Sequence, residues 1–324
     1  MDANDCRHLV AGLFPAARGP RSTRVAVEHE LLVADAVTGD PVEPERVRAA
    51  VEGLACAPYV GFEPGGQLEL SLPSATSPAS LARSVARDLA AVRAACGAAG
   101  IDLTASPVDP RPAVPLRLTS PRYVAMQRRF DEVGPAGRVM MRRTASTQVC
   151  LDWWPGRAGL DQWRLLNLAA PFLAAAFARA TGPRSRLATW LTVDPTRTAF
   201  DGRLLRGDHP VTTYASFATG AVPIVSTPAE HLTTLFPPVR PRRRYLEVRF
   251  PDVQQDDRIG ALVSVLAALT HDDELRAEAL HRLAGEERHL ERHWYDAAHG
   301  TGDVADRGHE LVALTGRAPA RSAA

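Results

Sequence analysis

The chain has 324 residues, 45% of them apolar and 23% charged, with a formal net charge of +1. That composition is ordinary for a globular protein of one large domain or two smaller ones, and the near-neutral balance removes bulk attraction to nucleic acid or membranes as a basis for function. No lysine occurs, so all 38 basic residues are arginine, which excludes a P-loop, a protein kinase and a pyridoxal enzyme.

In chain order, residues 1–22 read as a variable lead-in. It carries Asp2, Asp5 and Arg7 and lacks the apolar core of a signal peptide. "VAVEHELLV" (25–33) alternates, with Val25, Val27, His29, Leu31 and Val33 on one face and Ala26, Glu28, Glu30 and Leu32 on the other. A helix is expected over 43–54. A strand pair follows over 60–72, where "FEPGGQLELS" passes from a Pro-Gly-Gly turn into strict alternation that sets Glu69 on a polar face. Ser77-Pro78 supplies an N-cap and a first-position proline. The helix it opens has Leu81, Val85, Leu89 and Val92 as its stripe and ends at Gly97 and Gly100.

"IDLTASPVDPRP" reads as a strand entering a loop and "PRYVAMQRRFDEV" as a helix. Residues 145–154 alternate again, with Thr147, Val149 and Leu151 opposite Ser146, Gln148, Cys150 and Asp152. A long helix is expected over about 160–181. Its apolar run, broken by Pro171 and bounded by arginines, suits a buried helix rather than a membrane span. Residues 182–240 show no strong period. A strand over 244–250 sets Tyr245, Glu247 and Arg249 opposite Leu246, Val248 and Phe250. Helices over 257–270 and 272–298 follow, and the last ten residues read as disordered. Strands interleaved with helices without a βαβ rhythm predict an α+β fold. A cytoplasmic protein is the expectation.

Three strands far apart in sequence thus carry glutamate on a polar face. One reading is a half-solvated antiparallel sheet with surface glutamates. The other is a carboxylate-lined pocket, because crowded glutamates repel unless cations neutralise them. Such hard oxygen ligands suit Mg²⁺ or Mn²⁺ and, through the metal, phosphate oxygens. His289 and His293 have the i, i+4 spacing of a metal site, but the glutamates and arginines around them read as an ion-paired helix face. "RPRRR" (240–244) suits phosphate or carboxylate clamps better than nucleic acid. The scattered Cys6, Cys56, Cys96 and Cys150 form no Cys-x-x-Cys pair and have no paired histidine motif, so neither a zinc ribbon nor a thiol nucleophile is indicated.

Five blocks, taken together, resemble the glutamate–cysteine ligases, in particular the plant-type and actinobacterial ergothioneine-pathway branch. They are "VEHELLV", "FEPGGQLELS", "RYVAMQRRFDEVGPAGRVMMRRTASTQVCLD", "SRLATWLTVDPTRTAF" and "HLTTLFPPVRPRRRYLEVRF", in the family's order over roughly residues 24–255. The resemblance implies a single catalytic domain over 23–314, built on a curved, mostly antiparallel sheet with outer helices, similar to glutamine synthetase. It implies ATP and Mg²⁺ or Mn²⁺ on the inner face, with L-glutamate phosphorylated at its γ-carboxylate and L-cysteine then attacking the acyl phosphate. Metal-ligand roles fall on Glu28, Glu30, Glu69 and Glu247, with Glu63 a further candidate. Arg249 would meet the γ-phosphate, and Arg186 and Arg197 substrate carboxylates. Gln148, His231, Thr233 and Arg240 match substrate- or ATP-binding blocks.

The chain departs from the family in having Cys150 where the family has asparagine, in keeping only about thirty residues between the Arg-Thr and His-Leu-Thr-Thr blocks, and in a short C-terminal region. These departures point to a tolerant acceptor side, with another amino acid as acceptor amine or a weakened nucleotide-binding relative as the alternatives.

Overall fold

The computed structural model describes residues 3–15, 18–207 and 209–316. Seven strands form one sheet: β1 (Val25–Asp35), β2 (Val60–Phe62), β3 (Leu68–Ser71), β4 (Ile101–Thr104), β5 (Thr147–Asp152), β6 (Val239–Arg242) and β7 (Tyr245–Val248). Their order is β2-β3-β1-β5-β7-β6, with β4 also paired to β1. Every pairing is antiparallel. The α+β expectation holds, and each strand read from alternation is present.

The helices are α1 (Ala3–Ala11), α2 (Pro44–Val51), α3 (Pro78–Ala98), α4 (Pro121–Val133), α5 (Ala136–Arg143), α6 (Gly156–Ala176) and α7 (Arg186–Leu191). Then come α8 (Pro195–Thr198), α9 (Pro210–Gly220), α10 (Pro228–Thr233), α11 (Ile259–His271), α12 (Asp273–Arg282), α13 (Leu290–His299) and α14 (Val304–Leu314). Ser77 caps α3 by accepting from the Ser80 amide, as its sequence position predicts. On the sheet's apolar face, α3 and α11 pack against β1. There His29 is fully buried, its Nδ1 2.9 Å from the Thr147 hydroxyl.

The structure differs from the sequence expectation in four places. The lead-in contains α1, which buries Cys6 and Val10 and packs on α9. Pro171 does not break α6. A buried helix tolerates that loss of about 3 kcal/mol when most of its length is packed, as here from Leu165 to Ala174. The region 182–240 holds α7 to α10, short helices of mixed polarity whose period is too brief to read. The helix expected over 272–298 splits at Gly285, which adopts φ +89°, and α14 follows it. Of the expected disordered tail, residues 317–324 lie outside the described residues.

Candidate active site

Strand register decides which side chains meet. Glu30 lies opposite Glu69, Glu28 opposite both Ser71 and Gln148, and Cys150 opposite Glu247, which in turn faces Arg240. All of these share the polar face of the sheet. Like charges directly opposite across a ladder repel, so Glu30 facing Glu69 weakens the bare sheet and marks a place built for something else.

The turn between β2 and β3 adds a third carboxylate. Its Glu63–Gln67 segment closes through Glu63 N to Gln67 O at 2.9 Å and Gly66 N to Glu63 O at 2.8 Å. Gly66 sits at φ +89°, where a side chain is strained. Gly65 is required for another reason: a Cβ there would overlap the backbone of Arg142 at the end of α5. The Pro-Gly-Gly turn therefore lets α5 close down on the sheet while Glu63 points inward. One carboxylate oxygen each from Glu30, Glu63 and Glu69 lie within 4.8 Å of one another, a spacing a single hard cation can bridge.

Burial and then the repulsion of Glu69 raise the Glu30 pKa, against hydrogen bonds from Ser146 and Gln148. Burial, Glu30 and Glu69 hold Glu63 well above the usual carboxylate range. Burial, Glu247 and Glu69 push Glu28 up to about 7. This is how a site behaves that is short of positive charge.

The sequence-derived residues divide as follows. Glu28, Glu30, Glu63, Glu69, Gln148, Arg186, Thr233, Arg240 and Arg249 line one cavity of about 380 Å³. Glu63 belongs to the oxygen cluster, while Glu28 and Glu247 stand outside it. The fully buried Glu247 accepts from Arg240 Nε at 3.0 Å and Arg242 Nε at 2.7 Å, and from Arg249. Burial opposes its ionisation, but the three guanidiniums hold its carboxyl far below the usual range. Arg186 is anchored by donating to the carbonyls of Phe250 at 3.1 Å and Arg249 at 2.9 Å.

Two of the sequence-derived residues lie outside the cavity. Arg197 is 0% exposed and is spent on Thr234, bonding its carbonyl at 3.1 Å and its hydroxyl at 2.8 Å, with a further bond to the Val222 carbonyl. His231 is also fully buried and donates from Nε2 to the Ala218 carbonyl at 2.8 Å. Both tie the 190–236 region together and neither reaches the cavity. Cys150 is likewise not in the main cavity. It lines a second one of about 540 Å³ with Ala26, Tyr245 and Arg244, and the two cavities adjoin at Glu28 and Arg242. His293 pairs with Glu286 at 2.7 Å, as its ion-paired surroundings suggested.

Other contributors carry no sequence signal of their own. Ser146 donates to Glu30 from its amide at 2.8 Å and its hydroxyl at 2.9 Å. Arg122, Tyr123, Met126, Met140, Met141, Trp190 and Phe236 also line the cavity. A helical period shows that α4 and α5 have two faces, but not which one roofs a sheet.

The chain is similar in sequence to known proteins. The glutamate-cysteine ligase family 2 (GCS2) matches residues 24–301. Glutamate–cysteine ligase EgtA of Mycobacterium tuberculosis strain H37Rv is 31% identical over 290 residues, 72% of this chain and 66% of that protein. Chloroplastic glutamate–cysteine ligase A of Oryza sativa subsp. japonica is 24% identical over 329 residues, 82% of this chain and 66% of that protein. The chain thus spans about 66% of the length of these curated relatives. A bifunctional glutathione synthetase from Pasteurella multocida overlays with a TM-score of 0.44 at 13% identity, over 97% of this chain and 46% of that one. With its carboxylate cluster on the sheet and its matching sequence blocks, the chain belongs to glutamate-cysteine ligase family 2.

Proposed function

We propose that this chain is an ATP-dependent ligase that joins the γ-carboxylate of L-glutamate to the amine of L-cysteine, in a thiol pathway of the ergothioneine kind. The observation that carries the reading is the Glu30–Glu63–Glu69 cluster lining the same cavity as Arg249 and Arg240. Oxygen donors of this number and spacing fit Mg²⁺ or Mn²⁺, and the raised pKa values of Glu30 and Glu63 fit a site completed by a cation. The ion would lend its charge to the phosphate oxygens of ATP.

The residues of the chain divide the remaining work. A γ-carboxylate oxygen of glutamate attacks the γ-phosphorus, the bond to ADP breaks, and charge gathers on the transferred phosphoryl group. Arg249 presents a planar fork to that charge, held in place by Glu247 and Gln148. The acceptor nitrogen then attacks the acyl carbon, phosphate leaves with the C–O bonding pair, and the amine proton passes to solvent. No protein nucleophile is needed. Among the described residues no helix is long and apolar enough to cross a membrane, and cytoplasmic chemistry with ATP suits the reading.

The test is incubation with ATP, Mg²⁺, glutamate and cysteine, with ADP and γ-glutamylcysteine measured together. Equal amounts of the two are expected. ADP release with no γ-glutamyl product, from cysteine or any other amine, refutes the ligase reading.

A further inference from the structure

The segment ahead of β1, expected as a variable lead-in, ends against the hairpin that carries the cavity arginines. β6 closes the sheet order beyond β7, so it is paired along one side only. Pro241 in the middle of β6 offers no backbone donor. Yet this edge strand supplies Arg240 and Arg242, and β7 supplies Glu247 and leads into Arg249. The three guanidiniums meet on the Glu247 carboxylate, so a shift of the hairpin moves all of them together.

The turn of that hairpin is held from two directions. Arg243 N donates to the Leu13 carbonyl at 2.7 Å, and the Arg244 carbonyl accepts from Trp153 N at 3.2 Å. The two holders touch each other: the Phe14 ring lies 5.2 Å from that of Trp153, and also 5.8 Å from Trp163 and 6.2 Å from Tyr214. Arg243 itself adopts φ +59°, a left-handed conformation that a Cβ disfavours. Such a conformation persists where its surroundings impose it, and the bond to Leu13 does so here. α1, just ahead of Leu13, is fixed by the fully buried Cys6 and Val10 and packs on α9 and α10.

We propose that Leu13 and Phe14 form a latch that sets the β6–β7 hairpin, and that Phe14 is a positioning residue for phosphoryl transfer. The inference rests on the ligase reading above for what the hairpin arginines do. Phe14 lines neither cavity. It acts by packing against Trp153, Trp163 and Tyr214, which fixes the Leu13 carbonyl over the turn. The turn then fixes Arg240 and Arg242 and, through Glu247, the fork of Arg249. A group preorganised to stabilise developing charge works only at its set position, and a displacement of about 1 Å caused by a distant change can cost about 100-fold in rate. The carboxylate cluster lies on β1, β3 and the turn before β3, with β5 between it and the hairpin. The latch therefore serves the arginines and not the metal site.

The experiment compares the full chain with Phe14→Ala, with the milder Phe14→Leu, and with Leu311→Ala, a truncation of a buried residue in α14 that serves as a stability control. ATP turnover, Mn²⁺ affinity by electron paramagnetic resonance and peptide-resolved hydrogen exchange are read on each. Phe14→Ala should lower kcat by about 10- to 100-fold and speed exchange in the peptide spanning 239–249. Its Mn²⁺ affinity and its exchange over 60–71 should be unchanged. Phe14→Leu should fall between it and wild type. Leu311→Ala should melt lower with kcat unchanged.

Faster exchange in the hairpin with wild-type kcat overturns the proposal, because the arginines then keep their places without the latch. So do wild-type kcat and exchange in whichever Phe14 variant folds, and so does an equal loss of kcat in Leu311→Ala, which would make the effect one of stability alone. Mn²⁺ affinity lost along with kcat overturns it too, by moving the influence of Phe14 to the cluster. Those results leave the ligase reading standing. Absence of γ-glutamyl product from the wild type with every amine removes the ligase reading and this inference together.

Discussion

Gln148 Nε2 donates to Oε1 of Glu30 at 2.8 Å. The same side chain accepts from Arg249 through its own Oε1 at 2.7 Å, so one amide joins the carboxylate cluster to the arginine set. Both bonds demand this amide orientation, and neither glutamate nor leucine can make the pair.

Gln148→Leu removes a donor from Glu30 and an acceptor from Arg249. A lost supporting hydrogen bond of this kind weakens metal affinity or activity by about 10- to 100-fold. Weaker Mn²⁺ binding, read by electron paramagnetic resonance without substrates, should accompany a fall in turnover. Unchanged Mn²⁺ affinity would show that Gln148 does not position the cluster.

Arg249→Lys keeps the charge and loses the two-point fork. Turnover of ATP should fall by about two to three orders of magnitude, the range for loss of a preorganised charge-stabilising donor. Thermal stability should change little. Wild-type turnover in this variant would remove Arg249 from the phosphoryl-transfer step.

Gly65→Ala places a methyl group against the backbone of Arg142. Overpacking of this sort costs about 1–3 kcal/mol, measurable by urea denaturation. Because α5 carries Met140 and Met141 of the cavity wall, turnover should fall along with the loss of stability. A variant as stable as wild type would mean that α5 can lift away from the turn at no cost.

Glu28 supplies a pH dependence. Its folded pKa of about 7 lies above the ordinary value of 4.5 because of burial, Glu247 and Glu69. Between those values the folded state holds a proton that the unfolded chain releases, so stability is lost as pH rises through the window. Glu28→Gln lacks that loss. In EDTA the variant should match wild type near pH 4.5 and melt progressively higher than wild type up to pH 7. The buried His29, pushed down to about 4 by desolvation, titrates in the opposite sense but is common to both proteins and cancels. Parallel melting curves across the range would contradict the assigned environment of Glu28.

Local pattern determined a good deal of this protein. Alternation in Val25–Val33, Gln67–Leu72 and Tyr245–Phe250 was enough to place Glu28, Glu30, Glu69, Glu247 and Arg249 on polar strand faces, because side-chain direction in a strand depends only on parity. The sequence blocks named the family. Lysine-free composition removed whole enzyme classes from consideration.

Tertiary structure decided the rest, and the reason is register. Parity does not say which residue lies across the ladder, so sequence could not separate the cluster of Glu30, Glu63 and Glu69 from Glu247, which three arginines enclose. Arg197 and His231 carry the right chemistry in the right blocks, yet they are fully buried and bonded to Thr234 and Ala218. Burial is a property of the whole packing and leaves no local mark. The same holds for Arg122 and the three methionines: only the docking of α4 and α5 over the sheet, allowed by a missing Cβ at Gly65, turned one face of two helices into a cavity wall.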